Sequence, residues 1–124
     1  MQENQVFESA PRTATFQSRE FEVPKGAKGA KFFLAITAVS GTTPTLVLKI
    51  QEKDPISGNW VDVSGAAFAS KTTVNTDTLE VYPGVTAAAG RRVSGVLGKT
   101  IRAFATIGGT TPSFTCSLAA VFLD

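Results

Sequence analysis

Three carboxylates fall close together near the middle of this chain. Glu52 and Asp54 are two positions apart, and Asp62 follows on the segment that returns after Asp54-Pro-Ile-Ser-Gly58. Carboxylates gathered at a hairpin tip can hold a divalent cation or divide acid and base work across a glycosidic bond. The surroundings favour neither. The ten acidic residues are otherwise dispersed, no segment carries the alternating ligands of a calcium loop, and an Asp before Pro commonly caps its own turn. The chain has no histidine, which removes the Ser-His-Asp triad, the Cys-His dyad, the usual zinc sites and the commonest general base. Cys116 is the only cysteine; it alternates with Phe114 and Leu118 and reads as a small buried hydrophobe before a nucleophile. The eleven glycines form neither Gly-x-Gly-x-x-Gly nor a P-loop. These residues argue against an enzyme, and no catalytic, cofactor-binding or metal-ligating residue is assigned.

What chemistry remains is that of recognition. Arg91-Arg92 follow a turn and offer two planar guanidinium forks that could grip carboxylates on a partner, or else mark a solvent-facing strand start. Trp60 and Tyr82 sit opposite the clear apolar sets of their strands. An outward Trp is a frequent interface anchor, and it can equally cover the end of a core. With Phe7, Arg12 and Phe16 near the N-terminus, these residues make up the candidate partner-binding set. A nucleic-acid partner is not expected: twelve basic residues against ten acidic give only +2, scattered, and the densest basic stretch, Lys25 to Lys31, lies in a turn among small residues.

The elements that must position these residues are strands. At 124 residues the chain fits one domain with an ordinary core. Thr45 to Lys53 alternates, with Leu46, Leu48 and Ile50 on one face and Lys49 and Gln51 on the other, which is a half-buried strand. Asp54-Pro-Ile-Ser-Gly58 supplies a turn, because Pro presets φ and Gly accepts a positive value. Asn59-Trp-Val-Asp-Val63 then returns, with Val61 and Val63 on one face and Trp60 and Asp62 on the other. Lys31 to Val39 is dense in apolar residues and reads as a central strand. Ser64 to Lys71 is either a wide loop or one helical turn. Thr72 to Tyr82, Arg91 to Val96, Leu97 to Ile107 and Ser113 to Leu123 read as further strands.

Two stretches nearly repeat each other. Ala35-Ile-Thr-Ala-Val-Ser-Gly-Thr-Thr-Pro-Thr45 and Ala103-Phe-Ala-Thr-Ile-Gly-Gly-Thr-Thr-Pro-Ser113 each read as a strand, a turn at Pro44 or Pro112, and a return strand. About eight strands, closely spaced turn signals and no long helix predict an all-β fold, an antiparallel β-sandwich of jelly-roll or immunoglobulin-like type. Residues 30–124 form the sandwich domain. Residues 1–29, broken by Pro11, Pro24, Gly26 and Gly29, form an N-terminal arm whose segments Thr13 to Gln17 and Glu20 to Val23 are possible edge strands. No apolar run approaches the roughly 20 residues that cross a bilayer, and the first residues lack the basic start and apolar region of a signal peptide. The expectation is synthesis in the cytoplasm and no membrane association.

The segment Thr45-Leu-Val-Leu-Lys-Ile-Gln-Glu-Lys-Asp-Pro-Ile-Ser-Gly-Asn-Trp-Val-Asp62 resembles small β-domain virion proteins of tailed bacteriophages. Val81-Tyr-Pro-Gly-Val-Thr-Ala-Ala-Ala89 and the strand containing Arg102 fit the same pattern in the same order, and Ser9-Ala-Pro-Arg-Thr-Ala14 matches loosely. The resemblance covers roughly the last two-thirds of the chain. It implies a phage structural component located on the virion. The leading expectation is a capsid decoration or cement protein that binds the outer surface of the major capsid protein and neighbouring copies of itself, possibly as a homo-oligomer. The alternative is a tail, baseplate or fibre-associated protein that binds a host surface.

Overall fold

The computed structural model describes residues 2–124, and its strands are β1 (Gln2–Arg12), β2 (Phe16–Gln17), β3 (Phe21–Glu22), β4 (Gly29–Lys53), β5 (Trp60–Ala67), β6 (Asn75–Val81), β7 (Arg92–Val93) and β8 (Thr100–Leu123). The fold is all-β, as the strand and turn signals predict. Two strands are far longer than any element the sequence suggested. β4 and β8 pair antiparallel along their whole lengths, from Gly29 opposite Leu123 to Glu52 opposite Ile101. The segment before β4 follows the other edge of β8: Gln2 lies opposite Phe122, Arg12 opposite Phe114, Phe16 opposite Ala105 and Glu22 opposite Thr100. Residues 2–22 are thus laid along one strand of their own chain.

This long ribbon doubles back at its middle. The half containing Ala30, Phe32, Leu34 and Ile36 of β4 with Phe114, Cys116, Leu118, Ala120 and Phe122 of β8 faces the half containing Leu46, Leu48 and Ile50 with Ile101, Ala103 and Ala105, and all of these are buried. Phe21 beside one end of the ribbon packs edge-to-face on Phe122 at the other, with ring centroids 6.1 Å apart. We call the two halves layer A, extended by β1, β6 and β7, and layer B, extended by β2, β3 and β5. The result is sandwich-like, but a single unclosed sheet builds both layers. Its accessible surface of 6586 Å² is near the about 6,300 Å² of a compact protein of this mass, so the doubled ribbon buries as much as an ordinary domain. Pairing is antiparallel except between β6 and β7, which run parallel with Glu80 opposite Arg92.

The repeated Gly-Thr-Thr-Pro units are not turns. They sit inside β4 and β8 and pair with each other at the fold line, with Ser40 opposite Ser113, Thr42 opposite Thr110 and Thr45 opposite Gly108. Gly41 faces the two residues Thr111-Pro112, and Gly109 faces Thr43-Pro44, so a local twofold relates the two bulges. A proline interrupts a ladder at a bulge as readily as at a turn, which is why the sequence pattern misled. Thr43 and Thr111 hold left-handed φ values of 46° and 45°. The two glycines hold φ of 109° and 111°, because a Cβ on Gly41 would stand 2.6 Å from the Thr111 carbonyl oxygen and one on Gly109 2.7 Å from that of Thr43. We call this end the corner and the opposite end, where Phe21 meets Phe122, the open end.

β5 also departs from expectation. Four residues, Val63 to Ala66, stand against the single Ile50 between the pairs Gln51–Asp62 and Lys49–Ala67. Beyond them Phe68 donates its N–H to the Leu48 carbonyl at 2.9 Å and is buried with Ala66. The stretch from Ser64 is therefore bulged strand for the most part, with no helical turn. Val63 reaches the core while Val61, at the open end of this edge strand, stays 52% exposed.

Candidate interaction surfaces

The three central carboxylates part company. Asp54 accepts the Ile56 N–H at 2.9 Å and the Ser57 N–H at 3.3 Å, and these bonds, with the Ser57 hydroxyl, lower its pKa. Asp62 stands on the outer face of layer B. There it accepts Gln51 Nε2 and Lys49 Nζ, each at 3.0 Å, which likewise lower its pKa against a slight opposing effect of burial. Glu52, one residue from Gln51 in the ladder, belongs to the opposite face and packs beside Gly98. Asp54 is spent on the turn and Asp62 on the sheet. Among the described residues no group of three or more His, Cys, Asp and Glu is placed to hold a metal ion.

Trp60 stands on the outer face of layer B, as its alternation with Val61 and Val63 predicts. It is part of a row that crosses three strands. The Arg102 guanidinium lies 4.2 Å from the Trp60 ring centroid and 5.9 Å from that of Phe104. Arg102 Nε donates to Gln51 Oε1 at 2.9 Å, and Gln51 passes the connection to Asp62. Lys49 lies over Phe104 at 5.4 Å and Lys53 over Trp60 at 5.8 Å, while Lys53 also pairs with Glu20 at 3.5 Å. A cation over an aromatic face gains about 0.5–1 kcal/mol at exposed sites and more when desolvated. The contacts interlock, so the row forms a stiff, half-buried plate of aromatic and guanidinium surface. Sequence reasoning named Trp60 but not Arg102, Gln51, Lys49 or Phe104 as its companions. The signal was present: 102 and 104 are the outward positions between the inward 101, 103 and 105.

Phe7, Arg12 and Phe16 do come together, with Phe7 buried and Arg12 and Phe16 half-buried over it. Phe7 and Phe16 meet edge-to-face at 5.2 Å, and the Arg12 guanidinium lies over both rings, 5.2 Å and 4.8 Å from their centroids. Register shifts on either side of Phe7 let Val6 and Phe7 both turn to the core. This cluster closes one side of the sandwich. Arg12 also sits near Cys116, whose pKa burial pushes up while the arginine pulls weakly the other way; Cys116 is fully buried.

Tyr82 is tied down, its hydroxyl donating to the Asp124 carbonyl oxygen at 2.8 Å. Arg91 and Arg92 are exposed and share a shallow groove on the outer face of layer A with Lys31, Thr78 and Glu80. Arg92, Glu80, Lys31, Val121 and Glu3 are successive partners across the strands, so the arginine begins a row of alternating charge. Beside it Phe33 is 38% exposed, with Lys31 over its ring at 5.6 Å. The structure thus divides the seven candidates: Trp60, Arg91 and Arg92 lie on outer faces, whereas Phe7, Arg12, Phe16 and Tyr82 are held mainly by contacts within the chain.

No family model, curated protein or solved structure matches this chain.

Proposed function

We propose that this protein is a structural component of a bacteriophage particle, a decoration or cement protein on the outside of the head that binds the major capsid protein. The observation that carries the reading is the Trp60–Arg102–Phe104 row. Preformed aromatic and guanidinium surface loses little side-chain entropy on docking, and such residues dominate interface energetics. The resemblance of residues 45–62 and 81–89 to phage virion proteins supplies the biological setting. In that setting weak contacts suffice, because many copies bind one lattice at high effective concentration. The acids with lowered pKa all serve turns or sheet pairs, which fits a binding role.

Addition of purified protein to heads lacking it tests the reading. Saturable binding of hundreds of copies per head, weakened at least tenfold by Trp60→Ala with the fold intact, is expected. Absence from purified virions, or a stoichiometry of a dozen or fewer, overturns the head assignment, the latter in favour of the tail.

A further inference from the structure

Two arginines flank a cleft that the N-terminal segment leaves in the side of the sandwich. Arg12, at the end of β1, and Arg19, in the link between β2 and β3, line a cavity of about 320 Å³ together with Gln5, Glu8 and Gln17. β1 belongs to layer A and β2 to layer B, so the cleft separates the edges of the two layers. Each guanidinium is fixed in two ways. Arg12 lies over the Phe7 and Phe16 rings and donates from Nη2 to the Glu8 carbonyl at 2.8 Å. Arg19 lies over Phe21 at 5.3 Å from its centroid and donates from Nη2 to Asn4 Oδ1 at 2.5 Å and to the Gln5 carbonyl at 2.9 Å.

In both side chains one nitrogen is used and two remain. Arg12 Nη1, and Nε and Nη1 of Arg19, meet no acceptor among the described residues. Arg12 Nε is the one buried side-chain nitrogen or oxygen among them without a partner. Neither arginine has a carboxylate of its own. The described acids that form ion pairs, Asp62, Glu20 and Asp77, hold lysines, and the Glu8 carboxylate bonds to neither guanidinium. Arg12 is half-buried, and attraction between charges grows as water is excluded. A planar fork already held in place loses little freedom when it receives a carboxylate. Arg12 and Arg19 against Glu8 leave the cleft a surplus of one positive charge, which a single carboxylate neutralises and a phosphate dianion overshoots. The exposed Gln5 and Gln17 amides suit the backbone on either side of such a group.

We propose that this cleft receives the carboxylate of an Asp or Glu side chain on an extended segment of a partner protein, clamped between Arg12 and Arg19. The surface is separate from the Trp60 row on the outer face of layer B. It rests on the two guanidinium groups and not on the virion reading, so the failure of one leaves the other standing.

Full-length protein labelled with nitrogen-15 tests it through the arginine Nε–Hε signals. A capped glycine pentapeptide with one central glutamate should shift those of Arg12 and Arg19 saturably, with a dissociation constant in the millimolar range. The same peptide with glutamine at its centre should bind at least tenfold more weakly. Acetate, which has the carboxylate without the backbone, should bind at least threefold more weakly, and inorganic phosphate no more tightly than the glutamate peptide. Because Arg12 also holds the Phe7–Phe16 pair, the variant to read is Arg19→Gln, at an exposed position. With circular dichroism unchanged, it should weaken the glutamate peptide at least fivefold, whereas Arg92→Gln on the outer face of layer A should not alter it. Equal binding of the glutamine peptide, acetate or phosphate binding as tightly as or more tightly than the glutamate peptide, an Arg19→Gln titration that matches the unmodified protein, or no saturable shift at tens of millimolar peptide would each overturn the proposal.

Discussion

Gly41→Ala should be among the most damaging single-methyl additions available to this protein. The added Cβ would lie 2.6 Å from the Thr111 carbonyl oxygen and 2.9 Å from Pro112 Cα, both backbone atoms of a strand pinned in the ladder. A φ of 109° adds strain of about 1–3 kcal/mol for a residue with a side chain. Forcing the two strands apart adds about 1–3 kcal/mol by analogy with overpacked cores. The sum, about 4 kcal/mol, corresponds to a fall in Tm of about 15 °C for a domain of this length. Gly84→Ala is the control, since φ is also positive but no atom lies within 4 Å of the added carbon; it should cost about 1–2 kcal/mol. Because the local twofold gives Gly109 the same surroundings, Gly109→Ala should match Gly41→Ala within about 1 kcal/mol. Calorimetry on the three variants decides. If Gly41→Ala melts no lower than Gly84→Ala, or if the two corner glycines differ widely, the paired-bulge geometry is wrong.

The Trp60–Arg102 contact should show a coupling of about 1 kcal/mol in a double-mutant cycle to alanine followed by urea unfolding. As Trp60 is the only tryptophan, Arg102→Ala should also shift its emission; unchanged emission would refute the stacking. Lys71 and Asp77 form a largely buried pair at 2.5 Å. Burial pushes the Asp77 pKa up, but hydrogen bonds from Lys71 and the Thr78 N–H, with the charges of Lys71 and Arg91, outweigh it and leave the pKa below 3.8. A depressed folded-state pKa means stability fully present above the unfolded value and lost as pH falls through the folded one. Urea midpoints should therefore drop below about pH 4, and Asp77→Asn should cost about 1–2 kcal/mol at pH 7 while flattening that acid limb. Cys116 should react with a thiol reagent only as fast as the protein opens, whereas fast labelling of the native state would contradict its burial.

The alternation of apolar residues made the inner faces legible. Leu46, Leu48 and Ile50, and Phe114, Cys116 and Leu118, all lie where a period of two puts them. Turn chemistry at Asp54-Pro55 was equally clear because every hydrogen bond in it is local. What misled was the meaning of Pro44 and Pro112. Local sequence cannot tell a turn from a bulge when the deciding contact is with a segment far along the chain, and here each Gly-Thr-Thr-Pro is defined by the other. The Trp60 cluster was half visible for the same reason. Its members come from β4, β5 and β8, and only the register of those strands brings Arg102 over the indole. Val61 lies on the face the alternation gives it, yet stays exposed, because the open end leaves the last inward position of an edge strand without an opposing layer.

Placing β8 at the centre of the sheet has a consequence for biosynthesis. Residues 2–22 find their ladder partners in Thr100–Leu123, so a nascent chain that lacks this stretch can pair β4 with β5 and β6 but has no strand on which to lay its first segment. Loop closure across such separations makes folding slow and leaves strand edges bare meanwhile. Completion of the sheet therefore waits for β8 to be made, and until then the first segment and one edge of β4 stay bare, as suits a client of chaperones that shield unpaired β-strands.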